Sequence, residues 1–424
     1  MRAPVGISVD QVDVLVVGAG PAGSTAAARL ARAGHSVRVV EEHPKVGYPV
    51  QCAGLVSQRV LDLAGSTSFV RIPVRGATVF GPSGESITFR ADTPRAFVID
   101  RAGLDIYLAD RAARAGAEVR TMTRFDSVEP ESGDRLTVHL RGVDGAPEQL
   151  RTRLVIGADG VSSAVARAFR LRRPVEVLPA FEAEFPNSPG DTETVEVYLG
   201  RAFAPGLFGW WIPDGLGGAR VGIAADADGT AARSYFDRLL EQLARRFGQR
   251  LENPTAYLVS GIPIGALPRT HGRRVLLVGD AAAQVKPLSG GGIFTGMRCA
   301  EIAADVAAEA LGRGDVSEAA LAGYDRRWRT ELGEEFRRAL YLRRLFTRLS
   351  DDELDRVVHA LKGAHLAATI VAFGDIDFPT HVVRELLKES PGLVRLLPKA
   401  LGAWVSPGPG PYRAPPLDFD ARRK

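Results

Sequence analysis

The stretch Asp13-Val-Leu-Val-Val-Gly-Ala-Gly-Pro-Ala-Gly23 decides the fold. Asp13–Val17 is the kind of apolar run that forms a strand buried on both faces of a parallel sheet. It passes directly into Gly18-Ala-Gly-Pro-Ala-Gly23, and Ser24–Ala33 then reads as an alanine-rich helix closed by Gly34. A second strand, Ser36–Val40, ends at Glu41. Together these make a βαβ unit whose helix N-terminus offers free N–H groups and a dipole to an anion. In such a turn Gly18 permits the bend, Gly20 lets the backbone approach a pyrophosphate, and Gly23 allows close packing. Glu41, about twenty residues on, is placed to bond ribose hydroxyls.

Two further turns repeat the theme. Gly157-Ala-Asp-Gly160 follows the strand Arg153–Ile156, and Gly279-Asp280 follows Arg274–Val278. Each puts an acid beside glycine at the carboxyl end of a buried strand, where open α/β folds bind ligands. This trio resembles the flavoprotein superfamily typified by aromatic hydroxylases, over about the first three hundred of the 424 residues. The resemblance implies bound FAD, with Asp280 on the ribityl chain and Asp159 near the pyrophosphate. Arg101, opening the helix Arg101–Ala115, matches the family arginine that helps hold the cofactor.

Pro287-Leu-Ser-Gly-Gly-Gly-Ile293 and Tyr48-Pro-Val-Gln-Cys-Ala-Gly-Leu55 are similar to motifs of the geranylgeranyl reductase family. Its members use reduced FAD to saturate double bonds in prenyl chains. Gly290–Gly292 would let a helix N-terminus abut the flavin and stabilise its anionic reduced form. Carried over motif by motif, the expected FAD contacts are Gly18, Gly20, Ala22, Gly23, Glu41, Cys52, Ala53, Arg101, Asp280, Gly292 and Ile293. The implied chemistry is hydride transfer from flavin N5 to an alkene, with a proton added to the other carbon. The electron donor is left open between NADPH and a reduced ferredoxin. Candidate substrates are prenylated phospholipids, an isoprenoid quinone, or geranylgeranyl diphosphate and its chlorophyll ester.

The family's Tyr-x-Trp-x-Phe-Pro…Gly-x-Gly motif is met in part by Phe208-Gly-Trp-Trp-Ile-Pro213 and Gly222-Ile-Ala224. Trp210 and Pro213 agree, whereas Phe208, Ile212 and Ala224 depart and leave chain length and head group open. Phe208 and Trp210 are the expected substrate contacts; the other reading of this strand is plain aromatic core. Ile212 also suits flavin halogenases. Cys52 has two readings as well. A thiol with an ordinary pKa of about 8.5 is mostly protonated at neutral pH and could supply the proton, or it is a small buried hydrophobe. Cys299 reads as packing. The rival functions are a flavin monooxygenase or halogenase and, in another class, a non-catalytic prenyl-binding protein, which the intact flavin motifs disfavour.

The expected fold is α/β: an FAD-binding Rossmann-like domain with an inserted antiparallel-sheet substrate domain and a C-terminal helical region. Residues 1–70, 91–174 and 265–310 are assigned to the cofactor domain. The hairpin 71–90 and the strand-rich stretch 175–264 go to the substrate sheet. Residues 311–405 read as helical, and the Pro-rich tail 406–424 as disordered. A formal charge of +4 is too mild to argue for nucleic acid, and no metal site is expected. Two cysteines, no secretory pattern and no long apolar run point to the cytoplasm. Prenyl substrates live in bilayers, so peripheral contact with the inner face of the membrane is an open expectation. Two stretches suit it: the basic helix Phe336–Phe346, and a face formed by Leu393, Leu396, Leu397, Ala400, Leu401 and Trp404. The competing reading of both is a helix packed on the core.

Overall fold

A computed structural model describes residues 10–129, 133–174, 176–226 and 229–392. Strand Asp10–Val17 lies inside an eight-stranded sheet, between Val37–Val40 and Pro147–Gly157, parallel to both. Val14, Leu15 and Val16 are fully buried, as a strand covered on both faces requires. Val275–Leu277 continues the sheet in parallel beyond Pro147–Gly157. The strands end in register. Gly18 N–H donates to the Val40 carbonyl (2.8 Å), Ala158 N–H to Val17 (2.8 Å) and Val278 N–H to Gly157 (2.9 Å). All three acid-and-glycine turns therefore open at one edge of one sheet. Helix Pro21–Arg32 covers the sheet and packs its alanines against helices Arg101–Arg114 and Ile293–Gly312.

A second sheet of seven strands runs in the order Ala256–Ile264, Glu176–Phe185, Ala219–Ala224, Phe208–Pro213, Thr194–Tyr198, Gly76–Phe80 and Ser86–Arg90. It is antiparallel except where Thr194–Tyr198 runs parallel to Gly76–Phe80. One face carries Phe185, Trp211 and Val221 against Phe236, Leu239 and Leu243 of helix Gly229–Phe247. That nineteen-residue helix lies within the stretch read from sequence as short strands. Phe236, Leu239 and Leu243, spaced at three and four residues, form its buried stripe.

Two other expectations change. Val70–Val74 does not extend the hairpin. It pairs with Ala96–Ile99 in a separate three-stranded sheet that includes Leu55–Val56. The helix Phe336–Phe346, the end of Gly323–Phe346, is not a free interfacial face. Phe336, Ala339, Leu342 and Leu345 are buried in protein, and Arg343, 3% exposed, donates to Glu176 (2.6 Å) and to the Gly206 carbonyl. The face from Leu393 to Trp404 and the tail lie outside the described residues. Among the described residues no helix is long and apolar enough to cross a membrane.

Candidate cofactor and substrate site

The three glycines of the first turn do different work. Gly18 has φ +99°, and a Cβ there would sit 2.8 Å from the Ala158 carbonyl carbon. A Cβ on Gly23 would press into the Gly18 carbonyl and lie 3.1 Å from the Ala158 methyl. Both must be glycine for the turn to form at all. Gly20 differs: its φ is −68°, which any residue adopts, and a Cβ would meet nothing within 4 Å. It opens helix Pro21–Arg32 with no side chain capping that end. Glu41 holds the turn from the next strand, accepting from Ala19 N–H at 3.0 Å through Oε2 and from His43 N–H at 3.0 Å through Oε1. Ala22 marks the contact with the third turn, its methyl 3.1 Å from where a Cβ on Gly279 would stand.

The Asp159 backbone lies against Gly18, and its carboxylate turns into its own loop. There it accepts from Ser163 Oγ (2.7 Å) and Val165 N–H (3.0 Å), beside Ser163, which caps helix Ala164–Ala168. Burial raises its pKa, and those donors offset part of the rise. The peptide of Ala158 and Asp159, rather than the Asp159 side chain, is what lies against Gly18.

The Asp280 turn is built by two buried polar residues. Gln284 accepts from Gly279 N–H through Oε1 (2.9 Å) and donates through Nε2 to the Tyr324 hydroxyl (2.7 Å), which donates to the Leu277 carbonyl (2.9 Å). The Asp280 carboxylate, held there, makes no hydrogen bond with another described residue. Burial raises its pKa while the charge of Arg101 draws it down. A Cβ on Gly292 would lie 3.1 Å from Asp280 Oδ1, so this carboxylate borders the N-terminus of helix Ile293–Gly312. Gly290 sits at φ +72°, and its Cβ would stand 3.0 Å from Ile262 of the second sheet. The glycine triplet therefore lies between the Asp280 turn and the second sheet.

Arg101 ties the remaining groups together. Its guanidinium forms a two-pronged pair with Asp105 (2.8 and 2.9 Å) and borders the Cys52 thiol. Burial opposes its charge, but Asp105 and Cys52 outweigh that and raise its pKa. Cys52 is half-buried, with Sγ accepting from Gly54 N–H at 3.4 Å. Arg220, only 2% exposed, reaches across from the second sheet. It donates to the Ala53 (2.8 Å) and Ile99 (3.1 Å) carbonyls and to Glu184 (3.2 Å). A Cβ on Gly54, at φ +70°, would collide with that guanidinium. A buried arginine thus pins the loop carrying Cys52 and Ala53.

Alternation in Phe208–Pro213 sends Trp211 into the core under helix Gly229–Phe247, where its Nε1 donates to Ser188 Oγ (2.8 Å). Phe208 and Trp210 face the other way. Their rings meet edge to face at 6.3 Å. Trp210 borders two apolar clusters, one also bordered by Ala53, Leu55 and Ile376 and the other by Ile262, beside Gly290. The indole Nε1 donates to Glu182 Oε2 at 2.7 Å. Ile376 is held in place by its neighbours: Lys286 Nζ donates to the Ile376 carbonyl (2.7 Å) and Asp377 (2.9 Å), and Arg59 pairs with Asp375 (2.8 Å). Ile293 is half-buried beside Gly292, and Cys299 is fully buried on the same helix, where burial pushes its thiol pKa well up. Gln284, Arg220, Glu182 and Lys286 escaped the sequence reading. Only Asp105 carried a signal, its four-residue spacing from Arg101.

The open space at Gly20, the unpartnered carboxylate of Asp280 and the helix end at Gly292 fit a dinucleotide laid across the sheet edge. The matching family model is described as an FAD binding domain and covers residues 11–202. Digeranylgeranylglycerophospholipid reductase 2 of Methanothermobacter thermautotrophicus is 37% identical over 395 residues, covering 91% of this chain and 98% of its own. The digeranylgeranylglycerophospholipid reductase of Methanocaldococcus jannaschii is 36% identical, covering 83% and 91%. Among solved structures, a geranylgeranyl bacteriochlorophyll reductase-like protein from Thermoplasma acidophilum matches with TM-score 0.79 at 27% identity, over 91% of this chain and all of the other. A flavin-dependent halogenase, CmlS, shares the fold at TM-score 0.66 and 22% identity, over 93% and 79%.

Proposed function

This chain belongs to the digeranylgeranylglycerophospholipid reductase family, and from that premise we propose that it reduces double bonds in the geranylgeranyl chains of a glycerophospholipid. It is an FAD-dependent oxidoreductase. The observation that carries the substrate reading is the reach of the likeness. Identity of 37% extends over 98% of a named lipid reductase, through the second sheet and into the C-terminal helices. The halogenase likeness, at 22%, speaks to fold alone.

Bound FAD would supply hydride at the flavin ring. This chain's residues do the rest, in the following assignment. The eight-stranded sheet serves the cofactor and the seven-stranded sheet the substrate. The Gly18–Gly23 turn and the start of helix Pro21–Arg32 receive the pyrophosphate, Glu41 the ribose and Asp280 the ribityl hydroxyls. Gly292 and Ile293 present a helix N-terminus to the ring, where its dipole favours negative charge. Cys52 Sγ, beside Arg101, is assigned as the group that delivers the proton to the second carbon. Phe208 and Trp210 exclude water and grip the chain by burial, at ~0.8 kcal/mol per methylene. The substrate's home is a bilayer, so the enzyme meets it as a peripheral protein at the cytoplasmic membrane face. Helix Phe336–Phe346, already packed in protein, is not the contact.

The test is mass spectrometry of digeranylgeranylglycerophospholipid vesicles incubated with the FAD-loaded protein, with dithionite, NADPH or reduced ferredoxin as donor. Hydrogen pairs added to the prenyl chains support the reading. An oxygenated or halogenated product with the prenyl chains intact refutes it.

A further inference from the structure

Glu182 is a carboxyl placed where the sheet's own pattern calls for an apolar residue. Strand Glu176–Phe185 turns Leu178, Ala180 and Glu182 to the face bordered by Phe208 and Trp210, and Glu182 is 4% exposed. It stands opposite Gly222 on one side and Leu258 on the other, and Gly222 stands opposite Trp210. The three residues form one rung across three strands. A Cβ on Gly222 would lie 2.6 Å from the Trp210 ring. The missing side chain therefore lets the indole cross over the middle strand and reach Glu182 Oε2. The other oxygen, Oε1, is buried and has no hydrogen-bond partner among the described residues. Half-satisfied interior carboxyls are costly and uncommon. A phenylalanine or leucine here would fill the wall at less cost.

The surrounding charges are few. Glu184 lies on the same strand, and Arg220 on the neighbouring strand is engaged with Ala53, Ile99 and Glu184. Leu258 stands opposite Glu182 on the outer strand, Phe208, Ile262 and Leu340 of the C-terminal helix border the same apolar cluster as Trp210, and among the described residues Arg220 and Glu184 are the charged groups that act on the carboxyl. On that helix Arg343 is taken by Glu176.

We propose that Glu182 is a positioning residue: it holds the Trp210 indole across Gly222 so that the ring forms a fixed wall of the prenyl site. The inference rests on the prenyl-reductase reading and deepens it. Burial holds the carboxyl up, to about 7, with the Trp210 N–H and Arg220 working against the rise. Below that value the wall is neutral and suits an apolar chain. Above it, an ionised oxygen sits in the wall and opposes burial of the chain, so KM for the prenyl lipid rises on the alkaline side.

The test uses full-length, FAD-loaded wild type, Glu182→Gln and Glu182→Leu, with KM and kcat for a geranylgeranyl lipid measured on both sides of neutrality. Glutamine keeps the acceptor and cannot ionise, so it retains the wild-type KM below neutrality and loses the alkaline rise. Leucine removes the acceptor and raises KM by about 3- to 10-fold, the loss of one hydrogen bond, with kcat and flavin content unchanged. Tryptophan emission is the second readout. Leucine shifts it and glutamine does not, and the shift disappears in a Trp210→Phe background. An unchanged KM in Glu182→Leu, or an alkaline rise that persists in Glu182→Gln, overturns the proposal. If wild type reduces no prenyl lipid, the functional reading fails, and the emission comparison alone decides whether Glu182 fixes the indole.

Discussion

Gly20→Val places an isopropyl group at the one glycine of the first turn that the fold does not need. The backbone there is ordinary (φ −68°), and the new Cβ meets nothing within 4 Å. Stability without FAD should therefore stay level or rise by ~0.4–1 kcal/mol, because a bulkier residue restricts the unfolded chain. The open space is where we place the pyrophosphate. In wild type, FAD at a hundred times its Kd adds about 2.7 kcal/mol of stability; in Gly20→Val that increment should vanish. The assay is a pair of denaturation curves for each protein, with and without added FAD, read beside flavin absorbance. Gly23→Ala is the control of opposite character. Its methyl collides with the Gly18 carbonyl, so it should lose about 1–3 kcal/mol or more with no cofactor present. Gly20→Val carrying wild-type flavin would refute the cradle, and Gly20→Val unfolding without FAD would refute the claim that its space is empty.

Asp280 has its carboxyl pKa raised by burial, so the FAD-free protein loses stability as pH climbs through the carboxylate range. Asp280→Asn should flatten that part of the curve, and Asp280→Ala should lose FAD; a pH profile matching wild type, or full flavin occupancy, would count against each. Cys52→Ala should keep flavin and fold but lose most prenyl reduction, measured by lipid mass spectrometry, and unchanged turnover would make the thiol mere packing. Trp210→Ala should weaken substrate use by a few kcal/mol, mainly in KM, while FAD reduction by the donor stays near normal. Global unfolding of that variant would return Trp210 to the core.

What was legible in the sequence and what was not divides along a physical line. The βαβ unit around Gly18, Gly20, Gly23 and Glu41 is readable because it is local: strand, glycines, helix and acid follow one another. The strand and turn at Gly279-Asp280 are local in the same way, whereas Gly292 enters through a motif resemblance. Arg220 and Glu182 are not readable, since each acquires meaning only from chain far away, at Ala53 and Trp210. The sequence does not show that the Asp159 carboxylate bonds to Ser163 Oγ and Val165 N–H within its own turn, because an acid after a buried strand suits a ligand contact or a local bond alike. For the helix Phe336–Phe346 the sequence leaves two readings open, and the structure agrees with the one packed on protein. Its basic, amphipathic pattern does not reveal whether lipid or protein covers the apolar stripe, and Arg343 proves to be buried against Glu176.

The interleaving of the two sheets has a consequence for how the chain folds as it is made. The hairpin Gly76–Phe80 and Ser86–Arg90 is local and can close early, yet its sheet partner Thr194–Tyr198 emerges much later. Pro147–Gly157 must likewise wait for Val275–Leu277. Such distant pairings close slowly and leave strand edges bare in the interval. An excised fragment ending near residue 202 would keep those edges permanently. Pro147–Gly157 would lack Val275–Leu277, and Thr194–Tyr198 would lack Phe208–Pro213. Both are templates for pairing with another chain, so the isolated cofactor half should aggregate where the whole chain folds.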